Sequence, residues 1–381
     1  MTCIRILKSK KTGWAAIAGF LIAGILLLRP LNQAIFSVRL GLSMKELASG
    51  AKGEGLNVEE TTLSRRKGSI EYAALLYRPQ KSSIAGAIVI VPGISELGCY
   101  HPKLVAVSRH FAERGFLVIT PDIREFRSFQ ITAEPIEQIL FWYHQASALV
   151  GGETSGKTGL AGISYSGTLA LMAAAKPEIR DRLGFVLALG PYSNLVRCTR
   201  QWFRASQAAV GEEKNHATLY ARWVVMLSAV EMLPADRDRV YLETLFKKLL
   251  IEQAVSPPDA DLSPEGLRWY RLATMPADQS DPILARKIEQ FLVERIYPQL
   301  DPSDAVKEIH CPVYLIHGAY DALIPPGESV ELHRLIPSSH LLISPFLTHT
   351  HLNPDSLSMT QKARAVFNML AFFYRFSRVV Q

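Results

Sequence analysis

The sequence has no acidic residue before Glu46, no Asn-X-Ser/Thr acceptor and no Cys-X-X-Cys pair. Its four cysteines, Cys3, Cys99, Cys198 and Cys311, are widely scattered. That spacing argues against a disulfide framework and against a cysteine/histidine metal site. Cys311, beside an expected strand, reads as a small apolar residue. No internal repeat is evident, so nothing suggests a solenoid or propeller. The missing acids explain the basic balance. Seven basic residues precede Glu46 (Arg5, Lys8, Lys10, Lys11, Arg29, Arg39 and Lys45), and the rest of the chain has as many basic as acidic residues. The net charge of +7 therefore belongs to the N-terminal segment and is no nucleic-acid footprint. No nucleic acid, metal or organic cofactor is expected as a partner.

Within that segment an uncharged apolar run extends from Gly13 to Leu28. Sixteen helical residues would span about 24 Å, slightly short of a hydrocarbon core of about 30 Å. A cleaved signal peptide fits the basic start, but no small-X-small cleavage site follows. A buried soluble helix conflicts with a run that is apolar on all faces. The expectation is an uncleaved membrane anchor within residues 1–45, with Lys8, Lys10 and Lys11 on the cytoplasmic side and the bulk of the chain outside.

Length allows one large α/β domain with an insertion. Val58–Ser64 and Ser69–Tyr77 read as a hairpin about Arg65-Arg-Lys-Gly68. Ala87–Val91, Phe116–Thr120, Thr158–Ile163 and Phe185–Leu189 are continuous apolar runs, as in buried parallel strands. Helical patterns, His101–Arg114 and Pro135–Leu149, separate the first three. Strand-like runs then vanish from Leu195 to Glu308, where helices are expected over 217–232, 237–254, 264–274 and 282–297. Strands resume at Val313–Gly318 and Leu341–Ile343, before a terminal helix over 361–376. The expected fold is a doubly wound, mostly parallel α/β sheet. Its core occupies 46–194 and 309–381, and residues 195–308 form a helical lid.

Two motifs compete for chemistry. Gly151-Gly-Glu-Thr-Ser-Gly-Lys-Thr158 satisfies the phosphate-loop pattern, but it follows a helix and leads into a strand. A phosphate loop needs the reverse order, so that a helix N-terminus faces the anion. It reads as a turn. In Gly162-Ile-Ser164-Tyr-Ser166, by contrast, one serine sits between an apolar strand and a helix-forming run, with small residues two positions to either side. Such a turn lifts a hydroxyl above the sheet edge and aims helix-start N–H groups at the carbonyl it attacks. A serine needs a base, and the base an acid, to act near neutrality. Asp321, in Ile316-His-Gly-Ala-Tyr-Asp-Ala-Leu-Ile-Pro325, and His349 or His351, after the last strand, follow in the order Ser, Asp, His.

These stretches resemble the α/β-hydrolase superfamily over about 58–193 and 309–376, with Ser166 in place of the last elbow glycine and Thr348 in place of a glycine before His349. The resemblance implies a serine esterase or lipase-like hydrolase. Ser164 would be the nucleophile, His349 (or His351) the base and Asp321 its orienting acid. The N–H groups of Tyr165 and Ile94 would form the oxyanion hole, and Asp122 would be structural. His317 is expected to pack at the end of its strand. Apolar lid residues (Trp202, Phe203 and Trp223–Leu227) suggest a small-molecule ester with a hydrophobic or lipid-like acyl group. Thioester hydrolysis, acyl transfer or a catalytically inactive binding protein would use the same scaffold.

Overall fold

The computed structural model describes residues 57–80, 84–151, 156–204, 212–255, 258, 262–275, 281–347 and 357–380. The expected anchor, Gly13–Leu28, and the stretch Thr348–His351 lie outside them. Among the described residues no helix is long and apolar enough to cross a membrane.

Eight strands form one sheet in the order β1-β2-β4-β3-β5-β6-β7-β8. They are β1 (Val58–Lys67), β2 (Ile70–Pro79), β3 (Gly86–Val91), β4 (Phe116–Pro121), β5 (Thr158–Ile163), β6 (Val186–Leu189), β7 (Val313–Gly318) and β8 (Ser339–Ser344). The pairs β1–β2 and β2–β4 are antiparallel, and the others are parallel. The opening hairpin is longer than its apolar pattern suggests. As an edge strand, β1 keeps its ladder through the exposed, charged Arg65, Arg66 and Lys67, and the chain turns at Gly68, whose φ is 64°.

Every residue of β3 is buried, and alternate side chains serve opposite faces. Ala87, Val89 and Val91 join one core, whereas Ile88 and Ile90 join the other. The second face is covered by α1 (Pro102–Glu113), through Leu104 and Phe111, and by the C-terminal helix, through Phe372, Phe373 and Phe376. The first face is covered by helices that include α3 (Pro135–Leu149), after the short α2 (Arg124–Arg127), and α4 (Tyr165–Ala174). Gly115, with φ 93°, stops α1 as a left-handed residue.

Between β6 and β7 the described chain is helical: α5 (Leu195–Arg204), α6 (Glu212–Ser228), α7 (Asp236–Leu250), α8 (Pro264–Thr274) and α9 (Pro282–Arg295). The Ser263 side chain accepts the Gly266 N–H, and that of Asp281 accepts those of Ile283 and Leu284, so two of these helices start on side-chain caps. The apolar residues of this segment are spent on packing. Trp202, Phe203 and Trp223–Leu227 are all buried within one core with Phe246, Trp269 and Ile288. The remaining helices are α10 (Pro326–Leu335) and α11 (Met359–Val380).

The sheet order places the site. After β3 the chain crosses to β4 on one side, then returns to β5 on the other, so the loops leaving β3 and β5 diverge beyond adjacent strand ends. Such a switch point is where open α/β sheets hold their ligands.

Candidate active site

Ser164 lies at this point, between β5 and α4, with φ 60° and ψ −127°. That backbone is disfavoured for any side-chain-bearing residue, at a cost on the order of 1–3 kcal/mol. It persists because both neighbours hold it: the Ser164 N–H donates to the Leu189 carbonyl (2.7 Å) and the Gly167 N–H donates to the Ser164 carbonyl (2.9 Å). The small residues have an equally local reason. A Cβ on Gly162 would stand 2.4 Å from the Ser166 carbonyl oxygen. Ser166 itself fits because its hydroxyl is used. Fully buried, it accepts from the Ile163 N–H (3.0 Å) and shares its proton between the carbonyls of Ile163 (2.9 Å) and Val91 (3.1 Å). The residue that replaces glycine therefore stitches the end of β3 to the elbow.

Tyr165 opens α4, so its N–H has no intrahelical acceptor. Among the described residues no hydrogen bond engages this N–H or that of Ile94, in the loop after β3. The two loops follow strands paired at Val91 and Gly162. The Tyr165 side chain fixes the helix start: its hydroxyl donates to the Thr132 carbonyl (2.8 Å) and its ring stacks on Tyr192. Burial pushes this phenol well above its ordinary pKa, so it is a fixed donor and no acid–base group. The β3 loop is braced from beneath. Arg127 donates to the Glu96 carbonyl (3.2 Å) and to Asp122 Oδ2 (3.2 Å), which gives Asp122 the structural task expected of it. From above, the Tyr220 hydroxyl of α6 donates to the Ile94 carbonyl (2.9 Å).

Asp321 is buried in the loop after β7, two strands from the elbow. Two strand spacings make a gap of roughly 10 Å, wide enough to need an intervening imidazole. Its Oδ1 accepts the N–H groups of Leu323 and Ile324, both at 2.9 Å. Trp202 of α5 donates its indole N–H to the Leu323 carbonyl (2.6 Å), so the helical segment holds this loop as well. The structure thus brings Ser164, Tyr165, Ile94 and Asp321 to one edge of the sheet. His349 and His351 follow β8, the neighbour of β7, and lie outside the described residues. His340 sits on β8 itself with its ring 5.1 Å from that of Tyr314, consistent with a packing role.

Two residues of the acid-loop surroundings do more than the sequence suggests. One is His317, described below. The other is Glu328, a fully buried carboxylate of α10 whose partners lie more than 130 residues away. It accepts from the N–H (3.0 Å) and hydroxyl (2.7 Å) of Ser193, the Asn194 N–H (2.8 Å) and Arg197 Nε (2.5 Å). Burial alone would raise its pKa, but these donors outweigh desolvation and hold it below the ordinary carboxylate value. A lowered folded-state pKa stabilises the fold above the unfolded value, near 4.3, and that contribution is lost as pH falls through the folded one. We expect Tm to fall on acidification below about pH 5. Glu328→Gln should have a lower Tm at pH 7 and a shallower acid decline; parallel melting curves from pH 7 to 4 test this.

A family profile, that of the X-Pro dipeptidyl-peptidase (S15) family, matches residues 59–353. The chain belongs to the X-Pro dipeptidyl-peptidase (S15) family. That family is one of serine hydrolases, and the sheet order and the elbow described above have the α/β-hydrolase arrangement. No curated protein matches the chain. Similar solved structures include an acylaminoacyl peptidase from Pyrococcus horikoshii, at 14% identity over 85% of this chain and 42% of that one, with a TM-score of 0.46. Dipeptidyl peptidase 4 of Porphyromonas gingivalis shares 12% identity over 84% of this chain and 36% of that one, with a TM-score of 0.44. The 2,6-dihydroxy-pseudo-oxynicotine hydrolase shares 13% over 84% and 68%, with a TM-score of 0.48. The S15 chain spans about two fifths of the length of the acylaminoacyl peptidase. The family is named for X-Pro dipeptides, whereas the sequence suggested a lipid-like ester. The apolar residues that suggested a lipid-like acyl group are buried in helix packing.

Proposed function

We propose that this protein is a serine peptidase that forms an acyl-enzyme through Ser164 and takes short peptides with proline at the acyl position. The observation that carries the chemistry is the strained Ser164 backbone beside two main-chain N–H groups without partners among the described residues. The substrate class comes from the family match. In this reading the Ser164 Oγ attacks the scissile carbonyl while His349, which follows β8 in the sequence, takes the hydroxyl proton. His351 is the alternative base. Asp321 orients the imidazole and stabilises its cation. The oxygen of the tetrahedral adduct is met by the N–H groups of Tyr165 and Ile94. The histidine then returns the proton to the leaving amine, the C–N bond breaks, and water repeats the sequence to release the acid and restore the serine.

The test uses the full chain. A fluorophosphonate is expected to form an adduct on Ser164, mapped by mass spectrometry, and an Ala-Pro-anilide is expected to turn over with a higher kcat/KM than an Ala-Ala-anilide. No adduct on a folded protein would remove the hydrolase reading. An adduct with cleavage of acyl esters but neither anilide would remove the peptidase assignment alone.

A further inference from the structure

The residue before Gly318 at the end of β7 is His317, and it is completely buried. Its Nε2 lies 2.8 Å from the Ile324 carbonyl, which can only accept, so the ring proton sits on Nε2. Its Nδ1 lies 2.6 Å from the hydroxyl of Ser329 in α10, also fully buried, and accepts that hydroxyl's proton. The same Nε2 is 3.4 Å from Asp321 Oδ2. Every polar atom of the ring is therefore committed to the acid loop or to the helix that follows it.

The loop between β7 and α10 has to hold one carboxylate in one orientation. Among the described residues the loop's own main chain holds one half of that group, through the two N–H donors on Oδ1. We propose that His317 is the positioning residue for the other half. The imidazole closes the loop by bonding its far end at Ile324, and its Nε2–H edge sets the rotation of the Asp321 carboxylate through Oδ2. Ser329 keeps the ring from turning over. A buried imidazole needs partners in any role; here they are the far end of the acid loop and the helix that follows it, and the same Nε2 edge faces Oδ2 of Asp321.

This inference rests on the triad proposed above, and it is tested through Asp321. In wild type, His317→Leu is expected to lower kcat for the anilide and the rate of fluorophosphonate labelling by about 10- to 100-fold, the scale for a catalytic group displaced by about 1 Å, with KM changed less than threefold. His317→Gln, whose amide can still donate to Ile324, should recover most of that loss. In an Asp321→Asn background, His317→Leu should cause no further loss. An equal loss in both backgrounds would make the role merely structural and overturn the proposal, as would full activity of His317→Leu. If His317→Leu fails to fold, Ser329→Ala replaces it, with an expected several-fold fall in kcat that Asp321→Asn abolishes; no fall would overturn the proposal. Absence of labelling in wild type would instead remove the triad and this inference together.

Discussion

Ser164→Ala loses turnover by about 10⁶-fold, the scale seen when a serine nucleophile is removed from its triad. What remains, about 10³–10⁴ over water, comes from the oxyanion donors and substrate binding, which the change leaves in place. The backbone makes a second result expected of the same position. Alanine at φ 60° carries the same strain as serine, so Ser164→Ala should melt close to wild type. Ser164→Gly should melt higher while being equally inactive, because glycine adopts this conformation without steric cost. Initial rates, mass spectrometry of the labelled protein and paired melting curves decide both points. Labelling of Ser164→Ala at another serine would move the nucleophile, and a Ser164→Gly that melts below wild type would remove the strain argument.

Asp321→Asn should cost about 10⁴-fold in kcat, because an amide neither fixes the histidine tautomer nor balances its charge. The new oxygen can still accept from Leu323 and Ile324 at the Oδ1 position. Its NH₂ then faces the Nε2–H of His317, donor against donor, at a site where the wild-type atoms are 3.4 Å apart. One hydrogen bond of the cluster has to yield, so stability should fall by about 1 kcal/mol as well. Single-turnover rates and Tm measured on one preparation check the two effects. A kcat within tenfold of wild type would show that Asp321 is not the orienting acid.

How much of this could be read from the chain depends on how far apart the partners lie. The elbow and the acid loop are local: Gly162 has to be small because a Cβ there would meet the Ser166 carbonyl, only four residues on. The sheet class followed from continuous apolar runs, since strands buried on both faces have no other composition available. Strand ends were less legible. The ladder of β1 runs on through Arg65–Lys67, where an exposed edge tolerates charge, so the hydrophobic pattern stops before the hydrogen bonds do. The helix Leu195–Arg204 passed without notice, although Asn194 accepts the Arg197 N–H as an N-cap would. The use of the Ser166 hydroxyl and the Glu328 carboxylate was not legible at all. Their partners at Val91, and at Ser193 and Asn194, are 75 and about 135 residues away. His317 stood four residues before Asp321 in plain sight, but only the loop's curvature brings its ring against the carboxylate.

Tyr220 and Trp202 belong to neighbouring helices of one packed segment, and they hold the carbonyls of Ile94 and Leu323. The two loops that those carbonyls belong to are some 230 residues apart in the chain, and they share this single strut. An error in the strut is thus transmitted to both ends of the reaction at once. A substitution deep among the helices, far from any reacting atom, should present as a poor enzyme with an intact serine, an intact acid and an unremarkable fold. Sequence comparison of the reacting residues alone would rank such a protein as sound.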